Sequence, residues 1–371
     1  MSQDEVRPIL QASVHDVRYF STLLRGVNFA NRAVIKVTER GVVVIVEEAR
    51  TLLGTSYIFS DVFNEWIYNP EIPSSQEQEQ EPEQELSQDP DQTILHTSAF
   101  EIPLNAFLEC LNIFGTAGTF NPAKSSGKVR WKRSGEDSDN ENDNEGNNRN
   151  TGASHGSRRI EQYFGGAEKT TSMRMTYIGA GYPLTLIIAE DASGPTTRCE
   201  IPTSDLEEYL DIPFDNDRMV LKIILKSSWL RDALSELDPS CDKLTFIGHP
   251  SVKPDPNATT KQRMKAQLEG KPILRIQATG TFGTTEMDYP DDKEVLESFE
   301  CEEPVKFSYR LPLIARTARA LQSSVKTSLR IDDEGLLCLQ FMMPSPNSRN
   351  PRSDNLTSNF IEFKCLALDE D

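Results

Sequence analysis

Glu286 and Asp288 in TEMDYPDD alternate along a strand-like segment, which sets two carboxylates on one face. Two such groups can hold a divalent metal for phosphodiester hydrolysis. Strand ends carry pairs of this kind often, and no second carboxylate cluster of comparable type accompanies it, so no catalytic residue is assigned. TYIGAGYP (Thr176 to Pro183) and GTFGTT (Gly280 to Thr285) have the glycines of a phosphate cradle but lead into strands. A dinucleotide fingerprint needs its glycines to open a helix. The six cysteines are far apart without C-x-x-C, and the four histidines are scattered. That spacing suits neither zinc nor a redox dithiol, so reduced thiols, no metal and no cofactor are expected.

A different chemistry is offered by arginines. RLPLIARTARALQSS (Arg310 to Ser324) carries Arg316 and Arg319 three residues apart with no acid between them. At about 100° per residue, Ile314, Ala318 and Leu321 share one helix face and the two arginines point the other way. In VRYFSTLLRGV, Arg18 and Arg25 are seven apart and nearly superposed, opposite Phe20 and Leu24. A solvated helix face is one explanation of each. Two such helices in an acidic chain favour a phosphate-facing surface.

The formal net charge is -19, which by itself argues against a nucleic-acid partner, because duplex affinity comes from neutralising phosphates. The charge is unevenly spread. Glu71 to Gln92 holds eight acids and no base, and Gly135 to Asn150 holds six acids and one arginine, so thirteen of the nineteen excess negative charges sit in two windows. These windows have too little apolar surface to offset the entropy of ordering and read as insertions, at about 71–92 and 135–170. Two milder insertions fall at about 251–270 and 344–357. They either solvate the surface or serve as docking or phosphorylation segments. The longest apolar runs, GVVVIV and PLTLII, are strand-length, and the polar start MSQDEVRPIL suggests no signal peptide. A soluble intracellular protein is expected.

What must position the arginines is a strand-rich framework with four helices. Ala33 to Arg50, Thr171 to Asp191 and Thr327 to Met343 read as hairpins, with turns at Glu39-Arg40-Gly41 in the first and Asp332 to Gly335 in the third. Helices are expected over Val14 to Val27, Leu104 to Phe114, Ser227 to Leu237 and Leu313 to Gln322. Val17 to Leu104 spans 87 residues and Leu230 to Leu313 spans 83. The spacing suggests a tandem duplication of one unit: strand, helix, strands, helix, strands. The expected class is α+β, with an N-terminal domain over 1–200, an extended connector over 201–219 and a C-terminal domain over 220–371.

The phrases VRYFSTLL, GVVVIVEEAR, GYPLTLII, LKSSWLRDALSELD, MDYPDD and LRIDDEGLLCLQFMM, in this duplicated setting, resemble the DNA sliding clamps. Within them the chain is similar to the Rad-one subunit family of the heterotrimeric checkpoint clamp, the nine-one-one complex. The resemblance covers nearly everything outside the four insertions. It implies a nuclear, non-catalytic subunit of a ring loaded around double-stranded DNA, with Rad-nine and Hus-one subunits, a checkpoint clamp loader, and repair and signalling proteins as partners, and no membrane. It implies DNA-facing roles for Arg18, Arg25, Arg316, Arg319 and, with less support, Lys226. It also implies a partner-peptide pocket from Tyr57, Leu210, Ile212, Met342 and Phe360, for which ordinary core is the alternative. Subunit contacts would use edge strands such as TTRCEI (Thr196 to Ile201) and KFSYRL (Lys306 to Leu311). The rival functions are a 3'-5' DNA exonuclease and a homotrimeric replication clamp.

Overall fold

A computed structural model describes residues 7–70, 97–115, 117, 170–190, 194–250, 272–344 and 359–369. The expected insertions fall largely or wholly outside the described residues. The first run of elements is β1 (Leu10–Val14), α1 (Val17–Gly26), β2 (Arg32–Thr38), β3 (Gly41–Glu48), β4 (Leu52–Phe59), β5 (Glu65–Tyr68), β6 (Ser98–Pro103), α2 (Leu104–Leu111), β7 (Ser172–Tyr177), β8 (Leu184–Ala189) and β9 (Thr196–Ile201). The second is β10 (Met219–Lys226), α3 (Ser227–Ser235), β11 (Cys241–Gly248), β12 (Leu274–Gly280), β13 (Gly283–Tyr289), β14 (Leu296–Cys301), β15 (Val305–Arg310), α4 (Leu311–Ala315), α5 (Ala318–Ser323), β16 (Lys326–Asp332), β17 (Leu337–Met342) and β18 (Phe360–Cys365). The fold is α+β, and the described strands pair antiparallel.

The strands form three sheets. One has five strands in the order β5-β1-β7-β8-β9, one has four in the order β13-β12-β11-β15, and one has nine in the order β14-β10-β16-β17-β18-β4-β3-β2-β6. The nine-stranded sheet is a five-stranded block and a four-stranded block joined where β18 pairs with β4, from Phe360 opposite Tyr57 to Cys365 opposite Leu52. Its two blocks repeat the strand orders of the two smaller sheets. In that correspondence β9 is the counterpart of β18 and β13 that of β4, yet among the described residues no strand pairs with the outer side of β9 or of β13.

Helices form where apolar side chains recur at helical spacing. Asp16 caps α1 by accepting from the Arg18 N–H at 3.0 Å. Val17, Phe20, Leu24 and Val27 are buried as their spacing predicts. Phe20 packs edge-to-face on Phe63 and Phe107, with centroids 5.7 and 5.8 Å apart. Helix α1 lies between α2 and α5, and α5 also contacts α3, so the row runs α2-α1-α5-α3. Flanked on both sides, α1 leaves only Arg18 and Arg25 unburied. Gly26 permits the close approach, because a Cβ there would run into the Ile361 side chain and come within 3.4 Å of Ala320.

The single helix expected over Leu313 to Gln322 is instead two short ones, α4 and α5, joined at Arg316-Thr317. The Arg316 and Thr317 N–H groups donate three residues back, to Leu313 and Ile314, and the Thr317 hydroxyl also donates to the Ile314 carbonyl at 2.8 Å. Burial then falls at Leu311, Ile314, Thr317 and Ala320, a step of three rather than 3.6. Ala318, expected on the inward face, is exposed for this reason. Arg316 and Arg319 are nonetheless both exposed.

Candidate nucleic-acid interface and connector groove

The structure separates the four helix arginines into two kinds. Arg18 reaches back to Asp16, with Nε 2.9 Å and Nη2 2.7 Å from Oδ2. Arg316 donates from Nη2 to Glu48 Oε1, at the end of β3, at 2.9 Å. Each of these charges is offset within the chain. Arg25 and Arg319 instead converge on one open depression of about 370 Å³, lined also by Asn28, Asn105, Leu108, Glu109 and Asn112. Arg319 Nη1 donates to the Asn28 carbonyl at 3.2 Å. Burial, and then the neighbouring charge of Arg319, push the Arg25 guanidinium below its usual range. Two like charges held together in this way favour an anion between them, and Glu109 offsets only part of that field.

Helical phase turns Asn105, Glu109 and Asn112 outward on α2, but because that helix has no arginine nothing in the sequence joins them to this site. The seven-residue spacing of Asn105 and Asn112, the same as that of Arg18 and Arg25, is the signal that marks them. Lys226 stands apart, exposed at the N-cap of α3 and opposite Lys326 in the β10–β16 pair.

On the sheet face away from the helices, the chain between β9 and β10 is fastened along its length. Arg32 bonds Glu101 Oε2 at 2.8 Å and Glu207 Oε2 at 2.9 Å. Lys36 Nζ donates to the Tyr209 hydroxyl and lies 4.6 Å from the centre of its ring. The Leu210 N–H donates to Glu47 Oε2 at 2.8 Å, and Lys364 Nζ to the Ile212 carbonyl at 2.8 Å. Arg330 donates to Asn216 Oδ1 at 2.8 Å and sits 5.0 Å over the Phe214 ring. Beneath these ties Ile212 is buried with Val34, Ile45, Leu53 and Leu336, and Leu210 packs against them.

The five pocket candidates therefore fall into two neighbouring groups. Tyr57 stacks on Phe360 with centroids 4.4 Å apart, and Met342 is opposite Phe360 in the β17–β18 pair. Leu210 and Ile212 belong to the stripe filled by the connector. Asp211 is close enough to both groups to act on the Tyr57 phenol, which is pushed up to about 12, first by burial and then by Glu362, Cys338 and Asp211. The ties at Lys36, Glu47, Arg330 and Lys364 were missed, because each pairs with a residue more than a hundred positions away.

A family model described as "Repair protein Rad1/Rec1/Rad17" matches residues 9–343. The chain belongs to this family. It is 28% identical over 361 residues to the mouse "Cell cycle checkpoint protein RAD1", covering 97% of this chain and 93% of that protein. It is 26% identical to the "DNA damage checkpoint control protein rad1" of Schizosaccharomyces pombe, over 97% and 87% of the two chains. It is also 26% identical to the "DNA repair exonuclease REC1" of Mycosarcoma maydis, over 97% and 96%.

In this member of the family, Glu286 and Asp288 are both engaged by Arg275. Arg275 Nη1 is 2.6 Å from Glu286 Oε2, Nε is 2.6 Å from Asp288 Oδ1, and Gln277 Nε2 donates to Glu286 Oε1 at 2.9 Å. These contacts raise the Arg275 guanidinium above its usual range. A metal ion at these carboxylates would have to displace Arg275 from both of them. Among the described residues no group of three or more His, Cys, Asp or Glu could hold a metal, and no helix is long and apolar enough to cross a membrane.

Proposed function

We propose that this chain is one non-catalytic subunit of a heterotrimeric ring that closes around double-stranded DNA at damage sites in the nucleus and docks checkpoint and repair proteins there. The observation that carries this reading is the β18–β4 junction. A five-stranded and a four-stranded block join within the chain, while a second block of each size is left with its corresponding edge, β9 or β13, open. Such blocks complete themselves by pairing head to tail with neighbouring subunits, the closure that removes sheet edges. In this reading each run of elements is one clamp domain, 1–200 and 220–371, with 201–219 as the connector.

Of the two edges of the four-stranded sheet, β13 rather than β15 is the proposed docking edge. β15 corresponds to β6, and each is covered locally by the chain itself. Glu101 of β6 exchanges two backbone bonds with Ser204, and the Leu368 N–H donates to the Ser308 carbonyl of β15 at 2.7 Å. The other proposed docking edge is β9, the strand TTRCEI. The helix row would line the ring, with Arg25 and Arg319 meeting phosphates directly and Arg18 and Arg316 held partly in reserve by their carboxylates. A topologically held duplex needs only such weak, sequence-independent contacts. Tyr57, Phe360 and Met342, beside the connector, are the proposed opening for partner peptides.

Co-expression with Rad-nine and Hus-one subunits followed by native mass spectrometry tests the reading. A one-to-one-to-one complex is expected, and a stable homotrimer of this chain alone refutes it. The exonuclease name of one relative supports a second reading, in which Glu286 and Asp288 bind metal. Purified chain with Mg²⁺ or Mn²⁺ and end-labelled DNA would then show digestion that disappears in Glu286→Ala.

A further inference from the structure

Helices α1 and α3 can be superposed residue for residue. The N–H of Val17 donates to the Thr171 carbonyl before β7, and the N–H of Ser227 donates to the Val325 carbonyl before β16. From that anchor Phe20 matches Leu230, Leu23 matches Ala233 and Val27 matches Leu237, all buried. Two matches do not behave alike. Tyr19 is 4% exposed, whereas its counterpart Trp229 is 42% exposed. Gly26, where α5 and β18 close in, is matched by the exposed Glu236, which has no cationic partner among the described residues.

What buries Tyr19 is the internal junction. Asn359, just before β18, donates from Nδ2 to the Tyr19 hydroxyl at 3.2 Å and accepts from the Phe59 N–H, at the end of β4, at 2.9 Å. Around α3 no described residue takes the place that Asn359 holds at α1, beside the unpaired edge of β13. An indole N–H can only donate, so a partner seated on Trp229 must present an acceptor where Asn359 presents a donor. A carboxylate enclosed between a partner helix and strand must meet a cation, or burial of its charge opposes docking.

Among its described residues, a second copy of this chain does not offer that cation from α2 or β9. Its α2 contains no Lys or Arg, and Ala106, Cys110 and Ile113 lie away from the residues that line the arginine depression. The single arginine of β9, Arg198, is on the face opposite Cys199, whose thiol meets Cys110 of α2, and it is already paired with Glu200 at 2.7 Å. Ile361, which packs on the helices at the internal junction, has only Thr197 as its counterpart in β9, through the shared pairings of β8 and β17.

We infer that the α3–β13 end is a docking surface for a different, clamp-type chain, one whose helix or edge strand places a lysine or arginine against Glu236 and a hydrogen-bond acceptor against the Trp229 indole. The inference rests on the ring reading above and adds to it a rule for which neighbour is accepted at this end.

The test uses the full chain co-expressed with the two partner subunits. Glu236→Lys is expected to weaken the complex about thirty-fold or more at low salt, Trp229→Ala about ten-fold or more, and Glu236→Gln less than either. Both residues are exposed in the free chain, so circular dichroism and the melting temperature of the isolated variants should match wild type. If Glu236→Lys and Trp229→Ala assemble with wild-type affinity while the wild-type ring forms, the rule is overturned and the ring reading stands. Failure of the wild-type chain to assemble with partners, or its closure into a homotrimer, overturns both.

Discussion

Helices α1 and α3 start from equivalent backbone bonds and bury equivalent positions, yet their exposed residues differ in kind. Helix α1, enclosed by α2 and α5, shows solvent only Arg18 and Arg25. Helix α3, at the end of the row, has Ser228 and Ser235 at those two positions and carries Trp229, Asp232 and Glu236 outward. One copy of the unit is fitted to a neighbour inside the chain and presents two arginines on its outer face. The other has kept the groups by which it would meet a different chain. The core positions keep their burial in both copies while their side chains differ, as in Phe20 against Leu230 and Leu23 against Ala233.

The comparison breaks most readily at Gly26. Gly26→Glu places the α3 residue in the enclosed setting and should cost about 4 kcal/mol or more in urea unfolding, combining overpacking with an unpaired buried charge. The reverse change, Glu236→Gly, should stay within about 1 kcal/mol, since it touches an exposed helix end. If the two changes cost the same, the helices are not in different surroundings. Phe20→Ala, which removes an aromatic ring held by two others, should cost about 3–5 kcal/mol, and Leu230→Ala, at the more open end of the row, about 2 kcal/mol.

A smaller effect separates the arginines. In the assembled ring, Arg25→Ala with Arg319→Ala should lower the slope of log affinity for DNA against log salt by about 2, as expected for two lost phosphate contacts. Arg18→Ala with Arg316→Ala should change it by less than about 1, because both are already paired. Equal changes would make the depression unimportant. The smallest expected effect is alkaline. The phenols of Tyr19 and Tyr57 are pushed up to about 12, in both cases chiefly by burial. Above their ordinary value of 10.0 they ionise more readily in the unfolded chain. The stability they contribute is therefore complete below pH 10 and declines as pH rises toward 12. Tyr19→Phe should flatten that decline, whereas Trp229→Phe should leave it unchanged.

Much of the framework could be read from the chain because it rests on local regularities. The stripe Val17, Phe20, Leu24 and Val27 has helical spacing, and Glu39-Arg40-Gly41 is an effective turn because Gly41 adopts φ 143°. Gly335 in the third hairpin likewise has φ 82°, and a Cβ there would strike the Phe307 ring. The interruption at Thr317 was not legible, because a threonine hydroxyl bonding its own preceding turn leaves no periodic trace. The site was only half legible for a related reason. Helical phase identifies Arg316 and Arg319 as outward, but Glu48, which removes one of them from the depression, lies 268 positions away in the sequence. The connector's fastenings share that difficulty. They are single polar pairs between distant segments, with no repeating pattern to reveal them.

The pairing of β18 with β4 also bears on how the chain is made. Asn359 bonds the backbone of Phe59 across 300 residues, so β4 cannot receive its neighbour until those 300 residues have left the ribosome. During all of that synthesis the four-stranded block β4-β3-β2-β6 would present an apolar, unpaired margin. Long-range pairing of this kind is slow and leaves nascent chains open to wrong partners. The same margin that waits for β18 is a natural client for a chaperone, and a chain truncated before Phe360 should be found bound to one rather than free.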